Sequence, residues 1–365
     1  MAAKRFTGAS RYSNRLSAIH AAISAPYPQD RLSSYTRSAF PVFFTLAETA
    51  SWSHGESERR SITSTDTPPV VVQGPCGTVL EVFNPLRAGL TPVGTDTTLD
   101  IATWNLEFFP LALPGGFECP HPTAASRVQA TADLINRLEL DIIAVQEISS
   151  PAGFQSLLAL CPGYAGLLTT EDFGCNFQRV GFIYKTSEVR VKSWRVLELG
   201  DEEPFPRAPL QADFAVTFGE RSYSLSVIAV HLKASGDFDS VQRRRAASRL
   251  LKEYLDGVAD RDPNANFMIA GDWNDRIEES LSTNSFPDFV QDPEDYGFLT
   301  WPLAGKSEFA SIGSTSLIDH LLVNRAACAD FSGARVTTLR LDRVVSGYSQ
   351  VSDHRPVMVQ APIFR

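Results

Sequence analysis

From Leu99 onward, short apolar runs that resemble β-strands alternate with segments of helical periodicity, and this alternation limits the fold more than any other feature. Nine runs have the length and β-branched content of strands: 99–104, 141–145, 180–184, 189–196, 214–218, 224–230, 267–270, 318–323 and 356–360. Three segments are typical of helices: 124–138, 152–160 and 240–255. We therefore predict one α/β domain that spans residues 96–365.

Residues 1–95 differ in composition from the rest of the chain. They are rich in Ser, Thr, Ala and Pro and have little hydrophobic periodicity, so we expect a largely disordered or loosely structured extension. Its basic, acid-poor start resembles a transit peptide. The run 39–47 resembles the hydrophobic region of a secretory signal peptide, although it lies far from Met1. Residues 70–72 and 79–83 are apolar enough to add a strand or hairpin. The sequence does not choose between a targeting segment and a plain extension.

The charge of the chain is unevenly distributed. Its formal net charge is -9, and basic residues outnumber acidic residues in 1–95, so the predicted domain is more acidic than the total indicates. Such a domain is not typical of tight, nonspecific binding to long nucleic acid, but its carboxylates could surround a cation. No run approaches the roughly 18–20 apolar residues of a membrane-spanning helix. We expect no integral membrane segment, and we expect a monomer.

The five cysteines are scattered along the chain at Cys76, Cys119, Cys161, Cys175 and Cys328. None lies in a CxxC motif, which argues against a zinc–cysteine site and does not indicate a disulfide framework. A single bridge such as Cys119–Cys175 is an open alternative.

Polar residues with catalytic potential recur where the apolar runs end. They are Asn105, Glu147, His231, Asp272 with Asn274, Asp319, and Asp353 with His354. Because an α/β sheet presents ligand groups at a rigid rim, where its strands end, we expect six strands to end at one site. His320 should face away from that site, since adjacent strand residues point to opposite faces.

These residue types suit the chemistry of a phosphate ester. Mg²⁺ prefers oxygen ligands, and Glu147 and Asn105 offer them, whereas the set is too poor in His and Cys to favour Zn²⁺. Hydrolysis also needs an oriented water and donors to the phosphoryl oxygens. Asp272 or Asp353 could orient or deprotonate water. The donors would be His231, Asn274 and His354.

Seven motifs give the sequence a specific resemblance. In order they are TWNLEFF, DIIAVQEI, QRVGFIY, VIAVHLKAS, IAGDWND, SLIDHLLVN and VSDHRPV. They resemble the endonuclease/exonuclease/phosphatase superfamily, which includes pancreatic-type deoxyribonucleases, apurinic-site endonucleases, bacterial sphingomyelinases and inositol polyphosphate 5-phosphatases. Each motif alone is weak, but seven in the family's order, from Leu99 to about Ile363, are specific. The resemblance implies a four-layer α/β sandwich of two mixed β-sheets packed face to face, with helices outside.

The resemblance also implies roles for individual residues. Glu147 would be the principal metal ligand, and Asn105 and Asp353 would assist it. Asp272 would position the attacking water, and Asp319 would orient His354. The phosphate would be contacted by His231, Asn274, His354 and, as a further candidate, Arg179. Whether Asp272 or His354 is the general base is left open by the resemblance.

The expected function is metal-dependent hydrolysis of phosphate esters, most of all as a nuclease acting on nucleic acid phosphodiesters. Mg²⁺ is the expected cofactor, with Mn²⁺ or Ca²⁺ as alternatives. A phosphatase or phosphodiesterase for a small or lipid phosphoester is the second hypothesis, and a noncatalytic binding module is the third. Glu107, two residues after Asn105, could share its face and have a catalytic role. The run 243–245 could be a solvated helix face, or a phosphate-facing patch that would favour nucleic acid.

Overall fold

The computed structural model of the protein describes residues 75–81, 93–111, 124–170, 178–200, 203–306 and 308–364. These residues belong to one compact unit, Thr67–Arg365. Most of the predicted extension, including the runs at 39–47 and 70–72, lies outside the described residues. So do Cys119 and Cys175, which leaves their alternative pairing a prediction.

The described residues form two mixed β-sheets. The order of the first is β1 (Val79–Leu80), β12 (Arg335–Thr338), β13 (Val357–Ala361), β2 (Leu99–Phe109), β3 (Ile142–Ile148), β5 (Arg179–Lys185) and β4 (Tyr164–Leu168). The order of the second is β10 (Tyr296–Phe298), β11 (Asp319–Asn324), β9 (Phe267–Asp272), β8 (Arg221–His231), β7 (Leu210–Phe218) and β6 (Val189–Val196). The pairs β1–β12, β2–β3 and β8–β9 are parallel, and the other pairs are antiparallel.

Side chains cap the start of some of the described helices. The described helices are α1 (Ala125–Leu138), α2 (Pro151–Ala159), α3 (Phe238–Ala259), α4 (Pro287–Val290) and α5 (Arg325–Asp330). The Ser150 side chain accepts a hydrogen bond from the Gly153 amide at the start of α2, and Asp237 does the same for Ser240 in α3. Such caps satisfy amides that have no partner in the first helical turn. Single 3₁₀ turns lie at Pro75–Gly77, Trp301–Leu303, Leu341–Arg343 and Tyr348–Gln350.

The core is divided into three apolar clusters, which define four layers. The central cluster lies between the sheets and includes Ile101, Phe182 and Phe214. A second, around Trp104 and Phe154, fills the space between the first sheet and α1 and α2. The third lies between the second sheet and α3 and α4; it includes Leu251, Trp273 and Phe289. Strands apolar on both faces suit sheets covered on both sides. The predicted four-layer sandwich is confirmed.

One edge of the sandwich collects the candidate residues, but not in the way we predicted. The strands β2, β3, β8 and β9 end there, at or near Asn105, Glu147, His231 and Asp272. In contrast, β11 begins there, with Asp319 paired opposite Asp272, and β13 begins just after the Asp353–His354 segment. The expectation that all six strands end at the site is therefore wrong for these two. Antiparallel pairing brings the start of a strand to the edge where its neighbour ends.

The segment that precedes the main domain contributes an edge strand. Val79 and Leu80 of β1 pair in parallel with β12. Next to it, a disulfide joins Cys76 to Cys328 in α5, across 252 residues of sequence. The cysteine spacing had not indicated this bridge. Cys161 is buried and unbridged.

Within the part of the chain that the structure describes, none of the helices combines the length and apolarity that crossing a membrane requires.

Candidate active site

The side chain of Asn105 lies between two acidic residues at the centre of the site. Its Nδ2 donates to Glu147 Oε1 at 3.0 Å and to Asp272 Oδ2 at 2.9 Å. Its Oδ1 accepts a hydrogen bond from the Glu107 amide at 2.9 Å. The backbone contact fixes the orientation of the amide, so its nitrogen faces the two carboxylates. Asn105 thereby links the first sheet to the second through its side chain.

The backbone around Glu147 adopts an unusual conformation. Glu147 has a φ of 61°, and Glu107 and Phe108 on the neighbouring strand have φ values of 42° and 50°. The pairing of β3 with both of its neighbours is irregular at this point. The resulting geometry lets the Phe108 amide donate to Glu147 Oε2 at 3.0 Å. Non-glycine residues with positive φ cost energy, and three of them lie together here around the Glu147 carboxylate.

A buried arginine holds this strained segment in place. Arg127 on α1 is 3% exposed and donates to the carbonyl oxygens of Leu106, Glu107 and Leu111. It also donates to the Val351 carbonyl, in the loop that leads to Asp353. Arg127 therefore fixes two loops of the site relative to each other.

His354 and Asp319 form a buried ion pair. The Nδ1 of His354 lies 2.8 Å from Asp319 Oδ2. Burial alone would disfavour the charged imidazole, but the charge and hydrogen bond of Asp319 outweigh it and raise the pKa of His354 to about 10. The loop is tied down because Ser352 Oγ accepts from the His354 amide and donates to the Asn105 carbonyl. At neutral pH this histidine is a fixed cation.

His231 has the opposite electrostatic state. Burial, together with the positive charge of Arg207 and His354, lowers its pKa well below the ordinary value, so its imidazole is neutral. Its Nε2 lies 3.6 Å from Asp272 Oδ2 and 3.8 Å from Glu147 Oε1. Its Nδ1 is buried and has no hydrogen-bond partner among the described residues. The site thus contains one charged and one neutral histidine.

The positive charge near the central carboxylates does not fully compensate the cost of burying them, because their pKa values are raised. Burial, and next the charge of Asp319, raise the pKa of Asp272 to about 7, and burial raises the pKa of Glu147. Asp272, Asp319 and His354 place ligand atoms within 4.8 Å of one another. Asp319 Oδ1 is buried without a hydrogen-bond partner in the described part of the chain. Crowded, buried carboxylate oxygens of this kind suit a hard divalent cation.

Three predicted residues lie around this centre rather than within it. Asp353 is 55% exposed in its side chain, with Oδ1 4.0 Å from His354 Nε2. Asn274 has a φ of 56°, and its Nδ2 donates to the Leu232 carbonyl at 3.1 Å. Arg179 is buried and donates to the Ser149 carbonyl at 3.2 Å. Glu107, for which the sequence indicated a possible shared face, has its pKa raised to about 7 by burial and by Asp353.

Two further predictions concern residues next to the site. His320 faces away as expected: its ring nitrogens lie 3.0 Å from Thr300 Oγ1 and 3.0 Å from the Asp275 carbonyl oxygen. The run 243–245 matches neither alternative fully, because Arg244 is buried against Asp275 and its two neighbours donate to backbone carbonyls. These arginines anchor loops to α3.

Sequence reasoning missed Arg207. The charges of Glu147 and Asp272 act on it, although burial lowers its pKa. Among the described residues it has no ion pair within 4.0 Å. It lies just before β7, which is antiparallel to β8, so it reaches the edge where β8 ends at His231. An arginine in the turn 204–209 is visible in the sequence. Only the pairing of β7 with β8 shows that this turn lies at the edge of the sheet where the site is.

The comparisons with known proteins concern the family and the fold of the chain. The model of the Endonuclease/Exonuclease/phosphatase family matches residues 102–354. No curated protein matches the sequence significantly. Many solved structures match the fold.

Three of these structures illustrate the range of similar proteins. Truncated TDP2 of Caenorhabditis elegans has a TM-score of 0.52 at 14% identity, covering 72% of this chain and 97% of that one. A mannosyl-6-phosphatase of Bacteroides thetaiotaomicron has a TM-score of 0.52 at 16% identity, covering 72% and 99%. The human Nocturnin catalytic domain, solved with a bound sulfate anion, has a TM-score of 0.50 at 13% identity, covering 73% and 94%.

At such low identity these structures support the fold alone, whereas the family match spans more than half of the chain and includes all the candidate residues. The chain belongs to the Endonuclease/Exonuclease/phosphatase family and has its phosphoesterase fold.

Proposed function

We propose that this protein is a divalent-metal-dependent phosphodiesterase that acts on nucleic acid. The observation that carries the proposal is the contact of Asn105 with both Glu147 and Asp272, beside the buried Asp319–His354 pair. A scaffold has no need of several buried carboxylates and two histidines with opposite charge states at one strand edge. Perturbed, converging groups of this kind are typical of catalysis.

The metal would be Mg²⁺, with Mn²⁺ or Ca²⁺ as alternatives, held by oxygens of the central carboxylates. Glu147 is the principal candidate ligand, and Asp353 is a second one from the rim. Each oxygen of Glu147 accepts one hydrogen bond and retains a lone pair. Asn105 fits less well as a ligand, because its oxygen accepts from the Glu107 amide, and we assign it the positioning of Glu147 and Asp272. When bound, the cation would neutralise charge on the phosphoryl oxygens.

The charge states of the histidines suggest how the chain would treat a phosphoryl group. His354, held as a cation by Asp319, would donate from Nε2 to a nonbridging oxygen and stabilise the charge of the transition state. Neutral His231 and the amide of Asn274 would supply further donors. Asp272, whose pKa is about 7, would accept a proton from the attacking water. Because His354 is already protonated, we favour Asp272 over His354 as the general base.

Nucleic acid is favoured over a small phosphoester by the cations next to the carboxylates. Arg207 is near enough to Glu147, Asp272 and Arg243 for their charges to affect its pKa, and it forms no ion pair within 4.0 Å in the described structure. The charges of the two arginines suit phosphates that flank the one being cleaved. The three similar structures include a mannosyl-6-phosphatase, which acts on a small phosphoester, so the fold does not decide between the two substrate classes.

A substrate panel with added metal tests this proposal. Single-stranded DNA, plasmid DNA, RNA, sphingomyelin, inositol phosphates and an aryl phosphodiester would be compared with Mg²⁺ and with excess chelator. We expect hydrolysis of the aryl diester and of at least one nucleic acid, which the chelator stops. Turnover that persists in excess chelator would refute metal dependence. Hydrolysis of sphingomyelin or inositol phosphates alone would favour the second hypothesis, and no hydrolysis at all would favour the noncatalytic one.

A further inference from the structure

Phe238 is the most exposed large apolar side chain in the described part of the protein. Its exposed fraction is 79%, compared with 45% for Trp194 and 48% for Leu281. It makes no ring contact within the described structure. Single apolar side chains are common on protein surfaces, but a ring with this degree of exposure has a free face on which another aromatic system could stack.

The loop that presents Phe238 is rigidly held, although its ring is exposed. The buried Arg244 donates to the carbonyl oxygens of Lys233 at 2.8 Å and Ser235 at 2.6 Å. The same guanidinium forms an ion pair with Asp275 at 2.7 Å. Asp237 caps α3 immediately before Phe238. The ring is therefore attached to a fixed backbone and not to a loosely held loop.

This loop is joined directly to the catalytic centre. It continues from His231, and the Leu232 amide donates to the Asp272 carbonyl at 2.9 Å. The Leu232 carbonyl in turn accepts from Asn274 Nδ2. The loop is thus fastened to the strand end that carries Asp272 and Asn274, and Phe238 stands seven residues from His231.

Two arginines lie on or near α3, the helix that begins at Phe238. Arg243 of α3 donates to the Glu203 carbonyl, in the segment that also carries Arg207. Arg207 in turn experiences the charges of Glu147 and Asp272. The exposed ring therefore lies at the start of the helix that carries Arg243, with Asp237 and Asp239 beside it in sequence. A single strand of nucleic acid presents the matching alternation of bases, which stack on aromatic rings, and phosphates, which bind cations.

We propose that Phe238 stacks against a nucleobase near the scissile phosphate, and that the substrate is a single-stranded or locally unpaired nucleic acid. The inference rests on the proposed function, since it names the substrate class of the same site. A lipid surface fits less well, because the exposed large apolar side chains of the described residues do not form one patch. They are Leu160, Trp194, Phe238 and Leu281, which lie on four different elements or loops.

The test compares two strands that differ only in their bases. A nuclease-resistant phosphorothioate oligonucleotide would be paired with an abasic analogue of the same length and charge. Binding would be measured by fluorescence anisotropy in Mg²⁺ for the wild type, Phe238→Ala, Phe238→Trp and the control Trp194→Ala. Loss of one stacking contact should weaken binding of the base-bearing strand by roughly 5- to 150-fold in Phe238→Ala. By the same argument, binding of the abasic strand should weaken by less than about threefold in Phe238→Ala.

Phe238→Trp should restore the preference for bases, and Trp194→Ala should retain it. Equal losses for the two strands in Phe238→Ala, or no loss for either, would overturn the stacking proposal. A Phe238→Ala variant that keeps its preference for bases but no longer sediments with sphingomyelin-containing vesicles would also overturn it and favour a membrane. Hydrolysis of an aryl phosphodiester is measured separately. If the wild type lacks it, the proposed function fails, while the binding comparison still decides the role of Phe238.

Discussion

Asn105 shows how a single neutral side chain organises charge at this site. Its amide nitrogen donates to Glu147 and Asp272 together, while its oxygen accepts from the backbone. Without these donors the two buried carboxylates would repel each other more strongly, because His231, the other described side chain that lies near both, stands farther away, at 3.6 Å and 3.8 Å. The residue therefore acts on both carboxylates at once, and its identity as an amide matters more than its size.

Asn105→Asp keeps the shape of the side chain and replaces the donor with an acceptor. We expect the hydrolysis rate to fall by roughly 100-fold or more, because hydrogen bonds to charged groups contribute about 1.5–3 kcal/mol and a new charge is added. Steady-state kinetics with an aryl phosphodiester would measure the loss. Asn264→Asp, an exposed change in the turn before β9, is the matched control. An Asn105→Asp enzyme with the control's rate would contradict the assigned role.

The Asp319–His354 pair predicts a shift in pH dependence. Asp319 raises the pKa of His354 to about 10, so the wild-type histidine keeps its proton until the pH rises through that value. Asp319→Asn removes the stabilising charge, which lowers the pKa. We expect the alkaline fall in kcat/KM to move to lower pH and the maximal rate to drop by roughly 10- to 100-fold, less than the contribution of a whole acid–base group.

Asp353→Asn gives the comparison for that experiment, because the exposed Asp353 lies 4.0 Å from the same imidazole. The alkaline fall in kcat/KM should move less in Asp353→Asn than in Asp319→Asn. An unchanged alkaline limb in Asp319→Asn would show that the charge of His354 does not control the reaction.

Individual residues differ in how well the sequence predicts them. The predicted residues stand next to apolar runs, so strand periodicity marked them as candidates, but the edge that Asp319 and His354 reach depends on antiparallel pairing that periodicity does not show. Arg127 and Arg207 were not recognised, because their positions depend on contacts between elements distant in sequence. The positive φ values of Glu107, Phe108 and Glu147 were equally hidden, since none of these is a residue type that favours that conformation.

Among the elements, α3 contributes a buried arginine as a structural anchor. Arg244 is 2% exposed and joins α3 to Lys233, Ser235 and Asp275. The sequence alone could not separate it from its neighbours in an arginine run. Burial of the second of three adjacent arginines is decided by the rotation of the helix on its sheet.

Arg244→Ala should destabilise the protein strongly, since it leaves Asp275 without its buried partner. We expect a loss of about 3–5 kcal/mol in the free energy of unfolding, measured by urea denaturation. Arg249→Ala is the control on the same helix, because Arg249 is exposed and its ion pair with Asp288 is long. The control should lose less than about 1 kcal/mol. Equal losses would refute the anchoring role.

Strands and helices with strong periodicity were predicted well. The helix predicted at 124–138 is Ala125–Leu138, and the strand at 189–196 has the predicted bounds. The strands β4, β10 and β12 were missed. They are short, and β4 contains a glycine and is half-buried along its length, so neither length nor alternation marks it. Tertiary pairing, and not local preference, makes these segments strands.

At the scale of the whole molecule, the disulfide joins a segment before the main domain to its C-terminal part. Cys76 and Cys328 are 252 residues apart in sequence, so the bridge restricts a very long loop in the unfolded chain. The sequence could not indicate this pair, because cysteine spacing does not report distances in the fold. The bridge adds stability without contributing a group to the site.

Reduction should therefore lower stability. We expect a reductant to decrease the free energy of unfolding of the wild type by about 2–5 kcal/mol, as is typical for loss of a native disulfide. Cys328→Ser should show the same decrease without reductant and no further decrease with it. A wild-type protein whose urea transition is the same with and without reductant would contradict the stabilising role.

The central claim, that one site performs metal-dependent phosphodiester hydrolysis, is tested most directly by a Mg²⁺ titration. Initial rates with an aryl phosphodiester would be measured for the wild type, Glu147→Ala and Asp272→Ala, with folding checked by circular dichroism. We predict that the wild-type rate rises to saturation with Mg²⁺ and vanishes in excess chelator, while both folded variants are inactive at every concentration. A near wild-type rate in either variant, or a wild-type rate independent of Mg²⁺ and chelator, would contradict the account.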